Sequence, residues 1–345
     1  MDGLTAAGNL PVNAILGLVA LVMLVVSANE AVRRFCGLAE YLNLSTTFMG
    51  MTVVSLATSI PEISTKLIGS IGILRGTLDY RITSAVVVGS TIGSDIVQQT
   101  LILGLVAIVA GTLYFRRYVL IKDMLPMVAA QVMCTLLAWD RTYSRLDGAI
   151  LFGGFALYMY YLYQDERKFY RKPILEGSAR PQHQVHAPQS RREAARYALF
   201  GLGAMAGTVV SASILLDLTE VLVQATHVGG SFIGVAIIGV ASALPELTTA
   251  LAAVRNGERG ICLGTLIGSN ITNPLAGVGM GALASTYWVP PAVAYWDLPA
   301  AVGSSSLIWA LLWLSRGKLN RWGGLMLMAM YAVYLGFRAV FFLVD

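Results

Sequence analysis

The sequence predicts an all-α polytopic membrane protein whose ten transmembrane helices form two inverted five-helix repeats. Three observations lead there. Of 345 residues, 56% are hydrophobic and only 12% charged, where soluble domains carry about 25% charged residues. The apolar residues gather into ten runs, each near the roughly 20 residues that cross a hydrocarbon core as a helix. The first five runs also resemble the last five. Gly50 to Leu67 aligns without gaps on Gly234 to Leu251 with six of eighteen residues identical, and Gly89 to Ile96 on Gly264 to Ile271 with five of eight.

Taken in order, the predicted spans are 11–33, 45–74, 82–111, 118–139 and 146–164, then 195–223, 230–254, 260–285, 290–315 and 321–344. The first has no basic stretch before it and no convincing cleavage site, so it reads as a span and not as a removed signal. Residues 1–164 and 195–345 are the two halves. Between them, 165–194 is polar, contains Pro173, Pro181 and Pro188 with His183 and His186, and predicts a flexible linker.

Orientation follows from the basic residues. With the linker in the cytoplasm, eighteen Lys and Arg fall in inner loops and four, Arg75, Arg81, Arg141 and Arg145, in outer ones. Positive charge favours the cytoplasmic side, so both termini are expected outside. The net charge of +5 follows from this asymmetry and from contact with anionic membrane lipid, and does not imply nucleic acid. Cys36, Cys134 and Cys262 form no CxxC pair, which argues against a disulfide framework or a zinc site. Five spans, an odd number, separate the copies, so the copies run in opposite directions. In transporters of that design the substrate site lies near the midplane, between the repeats.

Two stretches carry the chemistry: Thr58-Ser59-Ile60-Pro61-Glu62 and its counterpart Ser242-Ala243-Leu244-Pro245-Glu246. A charged side chain at the centre of a bilayer costs roughly 2.5–3.5 kcal/mol on insertion scales, so a carboxylate there marks function. Proline inside a helix removes a donor and frees the carbonyl a turn earlier. The hydroxyls of Thr58, Ser59 and Ser242 add hard oxygens beside Glu62 and Glu246, a set that suits Ca2+ better than zinc or copper. In the second block, Gly89 and Gly93, like Gly264 and Gly268, recur four apart, a spacing that lets membrane helices approach closely. Asp95 and Asn270 follow at equivalent places and bring a further carboxylate and an amide toward the centre.

At these residues the chain resembles the calcium/cation antiporter superfamily, most closely its sodium/calcium exchangers, whose alpha-repeats read G-x-T-x-x-A-x-x-T-S-x-P-E and G-N-x-x-G-S-N-I. The resemblance covers both repeats, their spacing, the span count and the linker. It implies a secondary active antiporter, not an enzyme, that exchanges Ca2+ for Na+ by alternating access and needs no cofactor beyond the ions it carries. In that scheme spans 2, 3, 7 and 8 form the core, and spans 1 and 6 slide over it. The resemblance further implies that Glu62 and Glu246, with Thr58 and Ser242, form the Ca2+ site. Ser59, Thr91, Asp95 and Asn270 then help bind Na+ or a proton. The short linker has no room for the calcium-sensing domains of animal exchangers, which implies a prokaryotic protein of the cell (inner) membrane.

The chain departs from the family pattern in places. Ala243 stands where the family has a serine that ligates Na+, Leu266 where it often has a hydroxyl, and Asp95 where the first copy usually has asparagine. The coupling ion therefore stays open between Na+ and H+, and the divalent ion between Ca2+ and another such as Mg2+. Lys66 lies one helical turn after Glu62, where the second copy has Ala250. It reads either as a paired or outward-snorkelling side chain or as a built-in cation. A reading from another class, an intramembrane hydrolase with an aspartic-protease-like acid pair, explains neither the prolines nor the hydroxyls.

Overall fold

The computed structural model describes residues 10–41, 55–115, 117–170, 188–226, 228–255 and 259–345. Residues 42–54, which open the first repeat block, and residues 171–187, with His183 and His186, lie outside that set.

Ten helical segments run through the described residues. In the first half they are α1 (Leu10–Tyr41), α2 (55–75), α3 (Tyr80–Ala110), α4 (Arg117–Leu137) and α5 (Arg145–Tyr170). In the second they are α6 (Arg191–Thr226), α7 (Gly230–Arg255), α8 (259–284), α9 (Val293–Leu314) and α10 (Arg321–Phe341). Of these, α3, α4, α6, α7, α9 and α10 are long and apolar enough to cross a membrane by length and composition. The polarity is reversed relative to a soluble protein. Ile15, Leu18, Val22 and Val26 of α1 and Leu199, Phe200 and Leu202 of α6 are exposed, while Glu62, Lys66, Asp95, Glu246 and Asn273 are buried. Lipid as the outer solvent accounts for both facts.

Helix α5 runs on past predicted residue 164 to Tyr170, and α6 begins at Arg191, before predicted residue 195. A helix satisfies its own backbone in water as well as in lipid, so Asp165, Glu166, Arg167 and Lys168 end the apolar run without ending the helix.

Helix α3 sits at the centre and is buried without interruption from Thr83 to Val97. Its glycines let it cross α7 at backbone contact. A Cβ added at Gly93 would lie 2.6 Å from the Val235 Cα, and one at Gly89 would lie 2.7 Å from the Ser231 carbonyl oxygen. Around this core, α1 packs along α6, and α6 leans on α2.

The two halves also share their irregularities. Helix α2 breaks at Ser59 (φ −80°, ψ 4°) and α7 at Ala243 (φ −83°, ψ −2°), two residues before Pro61 and Pro245. Neither proline can donate to the carbonyl four residues back, at Ala57 or Ala241. Wider π-helical turns fall at equivalent places in α3 (Gln98–Ile102) and α8 (Asn273–Val278), a device common at functional sites.

Short antiparallel strands join the halves at two places. β1 (Thr112–Tyr114) pairs with β4 (Lys318–Asn320), and β2 (Thr142–Tyr143) with β3 (Tyr287–Trp288). A buried ion pair fastens α10 to α9. Arg338 Nε donates to both Asp297 oxygens at 3.1 Å, Tyr334 donates to Asp297 at 2.6 Å, and Arg338 Nη2 reaches Ser231 of α7 at 2.5 Å.

Candidate cation site

Glu62 and Glu246 each lie in the first turn of the helical piece that follows a break, and both are fully buried. Ser94 of α3 donates to Glu62 Oε1 at 3.0 Å, while Oε2 has no hydrogen-bond partner among the described residues. Neither oxygen of Glu246 has one. The Ser242 hydroxyl lies beside Glu62, and those of Thr58 and Ser269 lie beside Glu246 without reaching hydrogen-bond geometry. Each glutamate therefore faces one serine of its own half, Ser94 or Ser269, and one hydroxyl of the other half, Ser242 or Thr58. The Ser59 hydroxyl, also buried, has no partner among the described residues.

A layer of amides lies beyond the glutamates and repeats the same symmetry. Asn273 donates to Asp95 Oδ1 at 3.2 Å, and Asn270 donates to Gln98 Oε1 at 3.1 Å; Gln98 and Asn273 are equivalent, as are Asp95 and Asn270. Gln131 of α4 donates to Asp95 Oδ2 at 2.7 Å. Gln99 donates to Asn270 Oδ1 at 2.9 Å, and Asn270 also donates to the Leu266 carbonyl at 2.7 Å. The π turns carry Gln98, Gln99 and Asn273 into this layer.

The predicted residues thus divide. Glu62, Glu246, Thr58 and Ser242 come together. Thr91 is buried but donates to the Val87 carbonyl of its own helix at 2.9 Å. Asn270 is committed to the amide layer, and Asp95 is held there too. Among the described residues no three His, Cys, Asp or Glu side chains converge as a metal-binding group. The sequence suggests three acids meeting at one centre, but Gln131 and Asn273 engage both oxygens of Asp95, leaving a pair of glutamates with hydroxyls. Lys66 does not snorkel: it is 0% exposed, and its Nζ has no hydrogen-bond partner among the described residues.

Such an arrangement favours a hard cation. Apart from the Lys66 ammonium, whose charge acts on Glu62, the groups beside the glutamates are oxygens, and each buried polar atom without a partner costs about 1–3 kcal/mol, more when charged. A bound cation removes that penalty, whereas an added protein donor would occupy the same lone pairs.

The profile of the sodium/calcium exchanger protein family matches residues 12–164 and 197–340. The chain belongs to that family. CaxA of Alkalimonas amylolytica, named as an antiporter, is 29% identical over 316 residues, covering 88% of this chain and 90% of its own length. YrbG of Escherichia coli strain K12, an inner membrane protein, is 29% identical over 320 residues, covering 92% and 94%. Among solved structures, the sodium-calcium exchanger NCX_Mj aligns with a TM-score of 0.63 over 94% of this chain and 97% of its own, at 22% identity. The exchanger fold, ten helices in two inverted halves, is thus shared.

The members of this family are exchangers, that is, transporters. Sequence reasoning passed over Ser94 and Ser269, although both stand in the duplicated Gly-Ser-Asp/Asn-Ile block and could have been found by treating every hydroxyl of that block alike. Gln131 carried no such mark, since its span has no recognisable motif.

Proposed function

We propose that this exchanger moves Ca2+ against Na+ across the prokaryotic inner membrane, with Glu62 and Glu246 as the charged ligands of Ca2+ and Thr58 and Ser242 beside them. Ser94 and Ser269 complete the hydroxyl set. Ser59, with its buried and unpartnered oxygen, supplies a Na+ ligand in the first half. Thr91, Asp95 and Asn270 shape the monovalent sites, Asp95 and Asn270 through the amide layer. The observation that carries this reading is the pair of buried carboxylates, contributed by equivalent broken helices of opposite direction, with three of four oxygens lacking a donor among the described residues. The NCX_Mj structure was soaked with Na+ and Ca2+, which supports the same pair of ions here.

A second reading, exchange of Ca2+ for H+, is favoured by the second half: Ala243 and Leu266 are buried and apolar where hydroxyls would serve Na+. The deciding experiment is 45Ca2+ uptake into vesicles holding the purified protein, with Na+, K+ and H+ gradients imposed separately. Uptake on the Na+ gradient alone is expected. Uptake on the pH gradient alone would replace Na+ by H+, and uptake on none would reject antiport.

A further inference from the structure

The second half acts as an internal control on Lys66. At its equivalent, Ala250, there is no charge, and two other positions differ in concert: Asp95 stands against Asn270, and Gly277 against Ile102. Gly277 belongs to the π turn of α8, and a Cβ there would lie 3.1 Å from Lys66 Cδ and 3.3 Å from Cε. The side chain is therefore laid along a glycine that makes room for it. Its backbone is pinned as well, since the Tyr287 hydroxyl donates to the Lys66 carbonyl at 2.8 Å. The buried ammonium lies within electrostatic reach of Glu62, Asp95 and Glu246, yet donates no hydrogen bond among the described residues.

A lysine placed only to neutralise Asp95 would be expected to bond to it, but Asp95 is bonded to Gln131 and Asn273 instead. We propose that the Lys66 ammonium is a tethered cation of the transport site, standing in for one monovalent ion, so that each Ca2+ exchanges for two monovalent charges and the cycle moves no net charge. This rests on the antiport reading above, whichever monovalent ion is coupled. The two glutamates of the site and the neighbouring Asp95 of the amide layer, set against one ammonium, leave two negative charges, which one Ca2+ or two monovalent cations neutralise. A neutral loaded site crosses a low-dielectric core at the least cost. Without Lys66 three negative charges remain, and three monovalent cations are needed to balance them.

The test is 45Ca2+ flux in vesicles with the membrane potential clamped by K+ and valinomycin, under Na+ or pH gradients. For the wild-type protein the equilibrium Ca2+ gradient is expected to ignore the potential. In K66M one net charge per cycle should shift that gradient roughly 50-fold per 100 mV, with the cooperativity toward the coupling ion rising from about two to about three ions. The double variant K66M/D95N restores two negative charges and is expected to return to voltage independence, which a merely structural lysine would not explain. Wild-type flux that responds to voltage overturns the tethered cation while leaving antiport standing, as does a K66M that stays voltage-independent. Wild-type protein that moves Ca2+ on neither gradient overturns antiport itself and the tethered cation with it. If K66M fails to fold, the wild-type protein and K66M/D95N decide alone.

Discussion

The hydroxyls of Thr58 and Ser269, contributed by opposite halves of the chain, stand 3.3 Å apart beside the Glu246 carboxylate. Two neutral oxygens so placed can turn toward a cation held by the acid. Ser269→Ala removes one of them from the second half and is expected to weaken Ca2+ binding about 5- to 30-fold, the equivalent of roughly 1–2 kcal/mol. Isothermal titration or the Ca2+ dependence of uptake would measure it, and unaltered affinity would remove Ser269 from the site.

The acids themselves should matter more. Glu62→Gln and Glu246→Gln each take a formal charge from a two-carboxylate site, and Ca2+ transport is expected to fall on the order of 100-fold or more. Because each amide keeps the shape of the acid, elution on size exclusion and thermal unfolding should stay as in the wild-type protein. Normal flux in either variant would reject the assigned ligands.

Ala243 offers a gain-of-function test. It is the second-half equivalent of Ser59 and is fully buried. Ala243→Ser supplies the missing hydroxyl and is expected to lower the Na+ concentration for half-maximal uptake about 5-fold, near 1 kcal/mol for one added oxygen. An unchanged Na+ dependence would place this position off the Na+ path.

The Arg338–Asp297 pair tests packing apart from transport. Arg338→Met leaves the buried Asp297 carboxylate without its cation, with Tyr334 still donating to it, and is expected to cost about 3–5 kcal/mol, whereas D297N/R338M should recover most of that loss. Denaturant unfolding in detergent would show the difference, and equal stability of the single and double variants would exclude a coupled pair.

At Gly93 the close crossing of α3 and α7 leaves no space for a side chain. Gly93→Val is expected to destabilise by at least about 1–3 kcal/mol, the range seen when cores are overpacked, and a variant with wild-type thermal stability would show that the two helices can separate freely.

The sequence revealed the architecture because the repeat is written in residues that cannot be exchanged freely. Pro61 and Pro245 stand at the helix breaks, glycines such as Gly93 permit the crossing, and buried carboxylates such as Glu62 and Glu246 are costly inside an apolar run. Hydropathy located the spans for the same reason, although it could not see that α5 continues past its apolar run to Tyr170. The amide layer was hidden. Gln131, Gln98 and Asn273 are ordinary polar residues in a sequence, and only the π turns, which no local pattern announces, aim two of them at the centre. The commitment of Asp95 to that layer was hidden as well, since an acid near two others suggests a common ligand until its hydrogen bonds are known. Lys66 was ambiguous because i to i+4 spacing describes a helix face and not what packs against it; Gly277 comes from the other half.

The strand pairs β1 with β4 and β2 with β3 staple one half of the chain to the other near the ends of the core helices. Among the described residues, the contacts around Glu62 and Glu246 are likewise made within one half or between the two. The joint between the halves is thus made by backbone hydrogen bonds at two places as well as by the site, so drawing the halves apart would break both at once.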